Sequence, residues 1–425
     1  MLKTILQKTV WCCVLAWAAC AQAAPTAMPN AVPSAALIER GAYLAKVGDC
    51  IACHTAPSGK AFAGGLPMKT PVGTIYSTNI SPDALTGIGS WTEQQFEHAL
   101  RHGVAKDGHN LYPAMPYPSY AKVSDADVTA LYTYFMRAVP PVRQVNREAA
   151  IRFPLNMRWP LKLWNMVFLD RTPYQDKPGR SAEWNRGAYL AQGLGHCGSC
   201  HTPRGVGFQE KALDENGAAF LAGAELDGWY ASNLRGDPGH GLGRWSAPEL
   251  MAFLRTGTNG HASAYGSMTE VVNNSTQYFS ERDLSAVAVY LKSFGAAARV
   301  ATVTYSQSAV VASTSGARVY QVYCMQCHGV DGRGYAPLLA PLAGNPTVID
   351  SHASSLINVT LNGTRDLVIG GVPQPYPMPA FGKLLNDQQV ADALSFIRSN
   401  WGNGAPAVAQ QQVAKIRKET QAPHQ

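Results

Sequence analysis

The sequence predicts an all-α protein of three small tandem units, on three observations. The string RGAYLA stands at Arg40–Ala45 and again, letter for letter, at Arg186–Ala191, with a looser version at Gly316–Tyr320. After each copy comes Cys-x-x-Cys followed at once by His: Cys50/Cys53/His54, Cys197/Cys200/His201 and Cys324/Cys327/His328. Each stretch then closes on a segment whose apolar residues recur at helical spacing. Val128, Leu131, Tyr132 and Phe135 mark the first, Leu284, Val287, Leu291 and Phe294 the second, and Val390, Ala393, Leu394 and Ile397 the third.

Residues 1–23 read as a secretory signal. Lys3 and Lys8 supply the positive start, Val10–Ala19 a short apolar core, and Ala21-Gln22-Ala23 the small-residue cleavage site. That core is shorter than the roughly 20 residues a spanning helix needs. Lipid attachment at Cys20 is a rival, disfavoured by Trp17 where a small aliphatic residue is wanted. A Pro/Ala leader, 25–34, precedes the first unit at 35–145. A connector follows at 146–180, then the second unit at 181–298, a linker at 299–312, the third unit at 313–402 and a polar tail at 403–425. N-caps open the closing helices at Ser124, Ser280 and Asn386, and middle helices at Thr92 and Ser246. The connector is too apolar for a solvated linker. Its Trp159, Trp164 and Phe168 suit a docking surface for a partner or a membrane interface, or else burial between units one and two. In the tail, Ala409, Val413 and Ile416 form a thin stripe beside Lys415, Arg417 and Lys418, fit for grazing anionic lipid or for disorder.

Composition excludes some classes of function. The formal charge is +7, but Lys and Arg are scattered with no dense basic run, so nucleic acid is set aside as a partner. There is no Gly-rich dinucleotide loop and no nucleophile set, so oxidation of a substrate belongs to another protein.

Cysteine usage decides the chemistry. Of nine cysteines, Cys12, Cys13 and Cys20 fall in the signal, and the other six are all used in the three motifs. A thioredoxin-like pair wants a βαβ setting, and zinc wants two such pairs close together in sequence. Neither fits. Two cysteines separated by two residues can add as thioethers to both vinyl groups on one porphyrin edge, and the next residue, His, then ligates iron. Three covalently attached haems c are expected, made outside the cytoplasm. Met as the sixth ligand raises the reduction potential and closes the iron to small molecules. Met378, between Pro377 and Pro379, and Met115, in Pro113–Pro116, are the candidates of the third and first units. Met268 serves the second, where Met251 sits in a helix and reads as core packing. His98, His102, His109, His240, His261 and His352 read as surface or loop histidines. Trp91 and Trp245, at matching places, suit packing on haem or a bond to a propionate.

With these motifs on the page, the chain resembles the triple-haem cytochrome c subunit of bacterial membrane-bound dehydrogenases, of the quinoprotein alcohol dehydrogenase and flavin gluconate 2-dehydrogenase type. Its most specific stretches are Gly73–Asn79, Gly228–Asp237, Ser275–Tyr278 and Arg398–Asn403. The resemblance implies three tandem cytochrome c domains with haem bound at Cys50, Cys53, Cys197, Cys200, Cys324 and Cys327. It implies axial pairs His54/Met115, His201/Met268 and His328/Met378. It further implies a catalytic partner carrying PQQ or FAD, a third small subunit, and electron delivery to ubiquinone at the periplasmic face of the inner membrane, with peripheral attachment. Two alternatives are the same relay serving a molybdenum or other flavin dehydrogenase, and a peroxidase-like enzyme with one open haem.

Overall fold

Each of the three units in this computed structural model is organised by two crossing helices. Residues 34–226, 228–295 and 314–420 are described; the expected signal at 1–23 and the linker at 299–312 lie outside them. The opening helices Ala35–Val47, Ala182–Gln192 and Thr314–Tyr323 lie across the closing helices Asp125–Arg137, Glu281–Lys292 and Asp387–Ser399. Glycine sets how closely they cross. A Cβ on Gly41 would stand 2.0 Å from the Ala130 carbonyl oxygen, one on Gly187 2.0 Å from that of Ala286, and one on Gly316 2.2 Å from that of Asp392. Real carbon–oxygen contacts need over an ångström more, so only a residue without a side chain lets the backbones meet.

The helix starts follow their sequence signals. Thr92, Ser246 and Asn386 each form a reciprocal capping box, with Gln95, Glu249 and Gln389. Ser124, Ser181 and Ser280 accept a backbone N–H three residues on. Each such cap contributes about 1 kcal/mol.

Two expectations are corrected. The chain is mostly helical but not all-α: three short antiparallel sheets are present among the described residues. Pro67–Thr70 pairs with Gly73–Tyr76, which also pairs with Ala150–Ile151 of the connector; Ala224–Leu226 pairs with Trp229–Ala231, and Val368–Ile369 with Val372–Pro373. Strands of two to four residues are too short for a period-two pattern to stand out. The second correction concerns the tail. Gln410–Thr420 is a helix that buries Val413 and Ile416 in the third unit's core. Arg417 secures it through Asp387 (2.6 Å) and the Leu385 carbonyl (2.9 Å).

Units one and two share one core. Leu44, Leu131 and Phe135 of the first belong to the same buried cluster as Leu190, Leu284 and Tyr290 of the second. A reciprocal polar latch joins them. Tyr43 donates to Asp283 (2.6 Å), and Tyr189 donates to Asp127 (2.6 Å). Each phenol oxygen also accepts the N–H of the helix cap opposite, Ser280 and Ser124, at 3.2 Å. Arg40 and Arg186 hold the same two carboxylates from within their own units. Burial alone would raise Asp283; hydrogen bonds from Arg186 and Tyr43 outweigh it and hold the carboxyl below its usual range.

The third unit has its own core, including Ile357, Val390, Leu394 and Ile397, and meets the second through polar contacts and a small apolar cluster of Leu367 with Ala264 and Val272. Ser355 bonds both the N–H and the carbonyl of Tyr230 (2.8 and 2.9 Å), and His352 stacks on the Tyr230 ring at 4.1 Å. The Ser275–Tyr278 stretch touches all three units. Ser275 Oγ donates to the Val47 carbonyl of the first, while Gln277 bonds Val368 and Gly370 of the third.

The connector is half buried and half exposed. Its helix Pro160–Phe168 is fixed on one side by Asn165, which accepts from Tyr117 of unit one (2.8 Å), and by Trp164, which donates to the Gly207 carbonyl of unit two (2.7 Å). Trp159 lies on the other side and is exposed.

Candidate haem-binding sites

All three motifs have one local geometry. Each Cys-x-x-Cys-His spans a single helical turn: Cys50–Cys53, Gly198–His201 and Met325–His328. The six cysteines are not joined as disulfides. Every motif histidine is pinned twice. Its Nδ1 lies against a backbone carbonyl: His54 on Thr78 (2.7 Å), His201 on Ser232 (2.6 Å) and His328 on Ala340 (2.9 Å). Its own carbonyl accepts the N–H of Gly64, Gly223 or Gly334 at 2.8, 2.8 and 3.0 Å, and all three glycines have positive φ.

A carbonyl can only accept, so the ring must carry its proton on Nδ1, which leaves the Nε2 lone pair for a metal. Burial also lowers the three imidazoles below their usual value and favours the neutral, ligating form. Two of the family-specific stretches therefore have a physical purpose: Gly73–Asn79 brings the Thr78 carbonyl to the first histidine, and Gly228–Asp237 brings that of Ser232 to the second.

The same surroundings argue against dithiol chemistry. A redox-active Cys-x-x-Cys needs a thiol that ionises easily. Burial pushes Cys50 and Cys197 up to about 12, and Cys53 and Cys324 up to about 11. Nor do three or more Cys, His, Asp or Glu side chains converge as a metal cluster among the described residues.

The donor set of the second unit also fits a haem. Asn233 Nδ2, Arg235 Nε and Trp245 Nε1 are buried on one loop with no hydrogen-bond partner among the described residues. Three orphaned donors are the complement that the carboxylates of a haem edge would fill. Trp91 is only partly buried and packs against the core shared by units one and two.

The candidate sixth ligands are placed unevenly. Met115 is half-buried and packs on the same cluster as Cys50; Met378 does so with Cys324. Thr364 clamps Met378, its Oγ1 accepting the Met378 N–H (2.8 Å) and its N–H donating to the Met378 carbonyl (3.0 Å). Met268 is not in a loop but is the second residue of the helix Ser267–Asn274. It packs with Ala264, Val272 and Leu367 in a separate small cluster, whereas Met251 packs on the cluster that includes Cys197.

The other histidines have partners of their own: His109 with Asp107, His240 with Asp237, His261 with Glu249 and His352 with Asp350. His98 and His102 both approach Glu97. One histidine was missed by sequence reasoning. His196, immediately before Cys197, lies where the first two motifs abut, its ring 5.8 Å from that of Tyr120, whose hydroxyl donates to the Gly48 carbonyl (3.2 Å). Asp49, beside Cys50, was missed too. It is buried with positive φ and an unpartnered Oδ1, and burial pushes it up to about 8. Adjacency to the motif cysteines was the available signal for both.

Comparison with known proteins identifies the family. The cytochrome c family model matches residues 38–138 and 313–401. The gluconate 2-dehydrogenase cytochrome c subunit of Pantoea cypripedii is 51% identical over 405 residues, 92% of each chain. The cytochrome c subunit of the quinone alcohol dehydrogenase of Gluconacetobacter polyoxogenes is 47% identical over 403 residues, 91% of this chain and 85% of that one. That of Gluconobacter oxydans is 45% identical over 393 residues, 90% and 82% of the two chains. The chain belongs to the dehydrogenase cytochrome c subunits. Membership makes it an electron-transfer subunit. No helix of this cytochrome subunit, among the described residues, is long and apolar enough to cross a membrane.

Proposed function

We propose that this cytochrome subunit is exported and carries three covalent haems c, which relay electrons from a partner dehydrogenase subunit to ubiquinone at the periplasmic face of the inner membrane. The partner carries PQQ or FAD and oxidises an alcohol, a sugar or a sugar acid, with a third small subunit completing the complex. The observation that carries the reading is the threefold repetition of one site: two cysteines on one turn and a histidine with Nδ1 fixed on a carbonyl.

Bound haem supplies a reversible one-electron iron couple. The chain's part is to tether it through Cys50/Cys53, Cys197/Cys200 and Cys324/Cys327. His54, His201 and His328 would each offer Nε2 to the iron, and Met115, Met268 and Met378 would supply the second protein ligand. The first two motifs are locked together by a shared core, which keeps their separation constant and suits repeated electron exchange. Haem content tests the count: the chain matured in a periplasm should give three haems per polypeptide by pyridine haemochrome and intact mass, and two after Cys324→Ala/Cys327→Ala. A mass equal to the bare polypeptide would overturn the reading. The donor is tested by asking which substrate reduces the haems of the complex purified from detergent-solubilised membranes.

A second reading draws on one observation, the position of Met268 in a cluster apart from Cys197. A second haem left open there would make the protein a peroxidase-like enzyme. Carbon monoxide binding to one full haem of the native ferrous protein would favour it over a pure relay.

A further inference from the structure

The connector turns one apolar face away from the protein. Trp159, Leu163, Met166 and Val167 stand at i, i+4, i+7 and i+8, on a single face running along the helix Pro160–Phe168, and are 64%, 55%, 70% and 72% exposed. The turn before it adds Phe153 and Leu155, 78% and 55% exposed. The inward face holds the helix firmly through Trp164 and Asn165, so the outward ridge is a built surface. Isolated exposed apolar side chains are ordinary; a contiguous ridge of them marks something that covers it.

Charge says what that is. Between residues 149 and 169 there is no Asp or Glu, while Arg152, Arg158 and Lys162 are interleaved with the apolar residues. Arg158 lies flat on Tyr112, 4.1 Å from its ring centre, and Arg152 and Lys162 are exposed. The centre of a protein–protein contact is depleted of charge, and a protein partner would need acidic groups placed to match each cation. A bilayer surface supplies phosphate everywhere, and long basic side chains reach up to it while their stems stay among the acyl chains. Tryptophan is favoured at that depth.

We propose that this ridge seats the subunit on an anionic lipid surface, with the helix Pro160–Phe168 lying flat at the boundary between headgroups and acyl chains. The proposal deepens the reading that the protein works at a membrane and does not depend on the relay itself. A failed relay shows in haem content or in reduction by substrate, neither of which alters attachment.

Flotation of the purified holo-cytochrome with vesicles tests it. Vesicles of equal parts phosphatidylglycerol and phosphatidylcholine should carry the protein, and vesicles of phosphatidylcholine alone should carry much less. Added salt should weaken the difference. Trp159→Ser/Leu163→Ser/Met166→Ser should lower the partition coefficient at least about tenfold, with the haem spectrum unchanged. Should that variant lose its spectrum, Met166→Ser/Val167→Ser, at the two most exposed positions of the helix, gives the same reading with less risk to the fold. Arg152→Gln/Lys162→Gln should abolish the preference for anionic vesicles. A wild-type protein that stays at the bottom of the gradient overturns the proposal. So does a serine variant that floats like wild type, including one that has lost its catalytic partner on co-purification, since that outcome assigns the ridge to a protein.

Discussion

Replacing Tyr189 by Phe removes a single oxygen from the latch between the first two units. The lost hydroxyl donates to Asp127 Oδ2 at 2.6 Å and accepts the Ser124 N–H at 3.2 Å. Asp127 is 1% exposed and keeps Arg40, so the variant does not strand a bare buried charge. Its cost is that of one hydrogen bond to a charged group, about 1.5–3 kcal/mol. Tyr43→Phe deletes the reciprocal bond to Asp283, and because Tyr43 is partly exposed its cost belongs near the lower end, about 1.5 kcal/mol. The two bonds share no partner, so the double variant should lose roughly the sum. For a cooperative block of this size 1 kcal/mol corresponds to roughly 2–4 °C. Differential scanning calorimetry of the holo-protein should therefore show a fall of several degrees for each single variant and about twice that for the pair. A double variant that melts within about 1 °C of wild type would refute the claim that these tyrosines hold the units together.

Other measurements check the remaining sites. Met268→Ala should open one ferrous haem to carbon monoxide while Met251→Ala should not; the opposite result would move the sixth ligand to Met251. Ile416→Ala empties a buried position in the third unit's core and should cost about 2–4 kcal/mol, seen as an earlier transition; an unchanged melt would return the tail to a solvated extension. Asp283 has a native pKa held below the usual carboxylate value. Its contribution is therefore complete above that value and disappears as pH falls through the lowered native pKa. Acid titration followed by limited proteolysis should open the contact between units one and two in that window, and less so in Asp283→Asn, which has no carboxyl to protonate.

Local chemistry was legible in the sequence. The three motifs, the five caps named from it and the apolar faces of the closing helices are each written within a few residues, and all are present in the structure. What the sequence hid depends on distance. Tyr43 and Asp283 are 240 positions apart, and nothing near either one tells of the other. The tail reads as polar because nine of its eleven helical residues face outward or only graze the core; the thin stripe with Val413 and Ile416 is visible, but not the third unit's core that covers it. The connector reads as too apolar for a linker, and its burial between units one and two holds for one side only. Trp164 faces the protein and Trp159 faces away, a division set by the neighbours each meets and not by residue type.

The paired tyrosines also impose a symmetry on the first two units. Each copy of RGAYLA reaches out of its own unit to the carboxylate at the start of the other's closing helix, and receives the same contact in return. Residue i meeting j while j′ meets i′ is what a twofold axis between identical molecules imposes. Two units on a single chain are under no such obligation. An exchange kept in both directions gives units one and two a local twofold relation, in which loss of either tyrosine leaves its mirror contact standing. The third unit, with its own core, stands outside that relation.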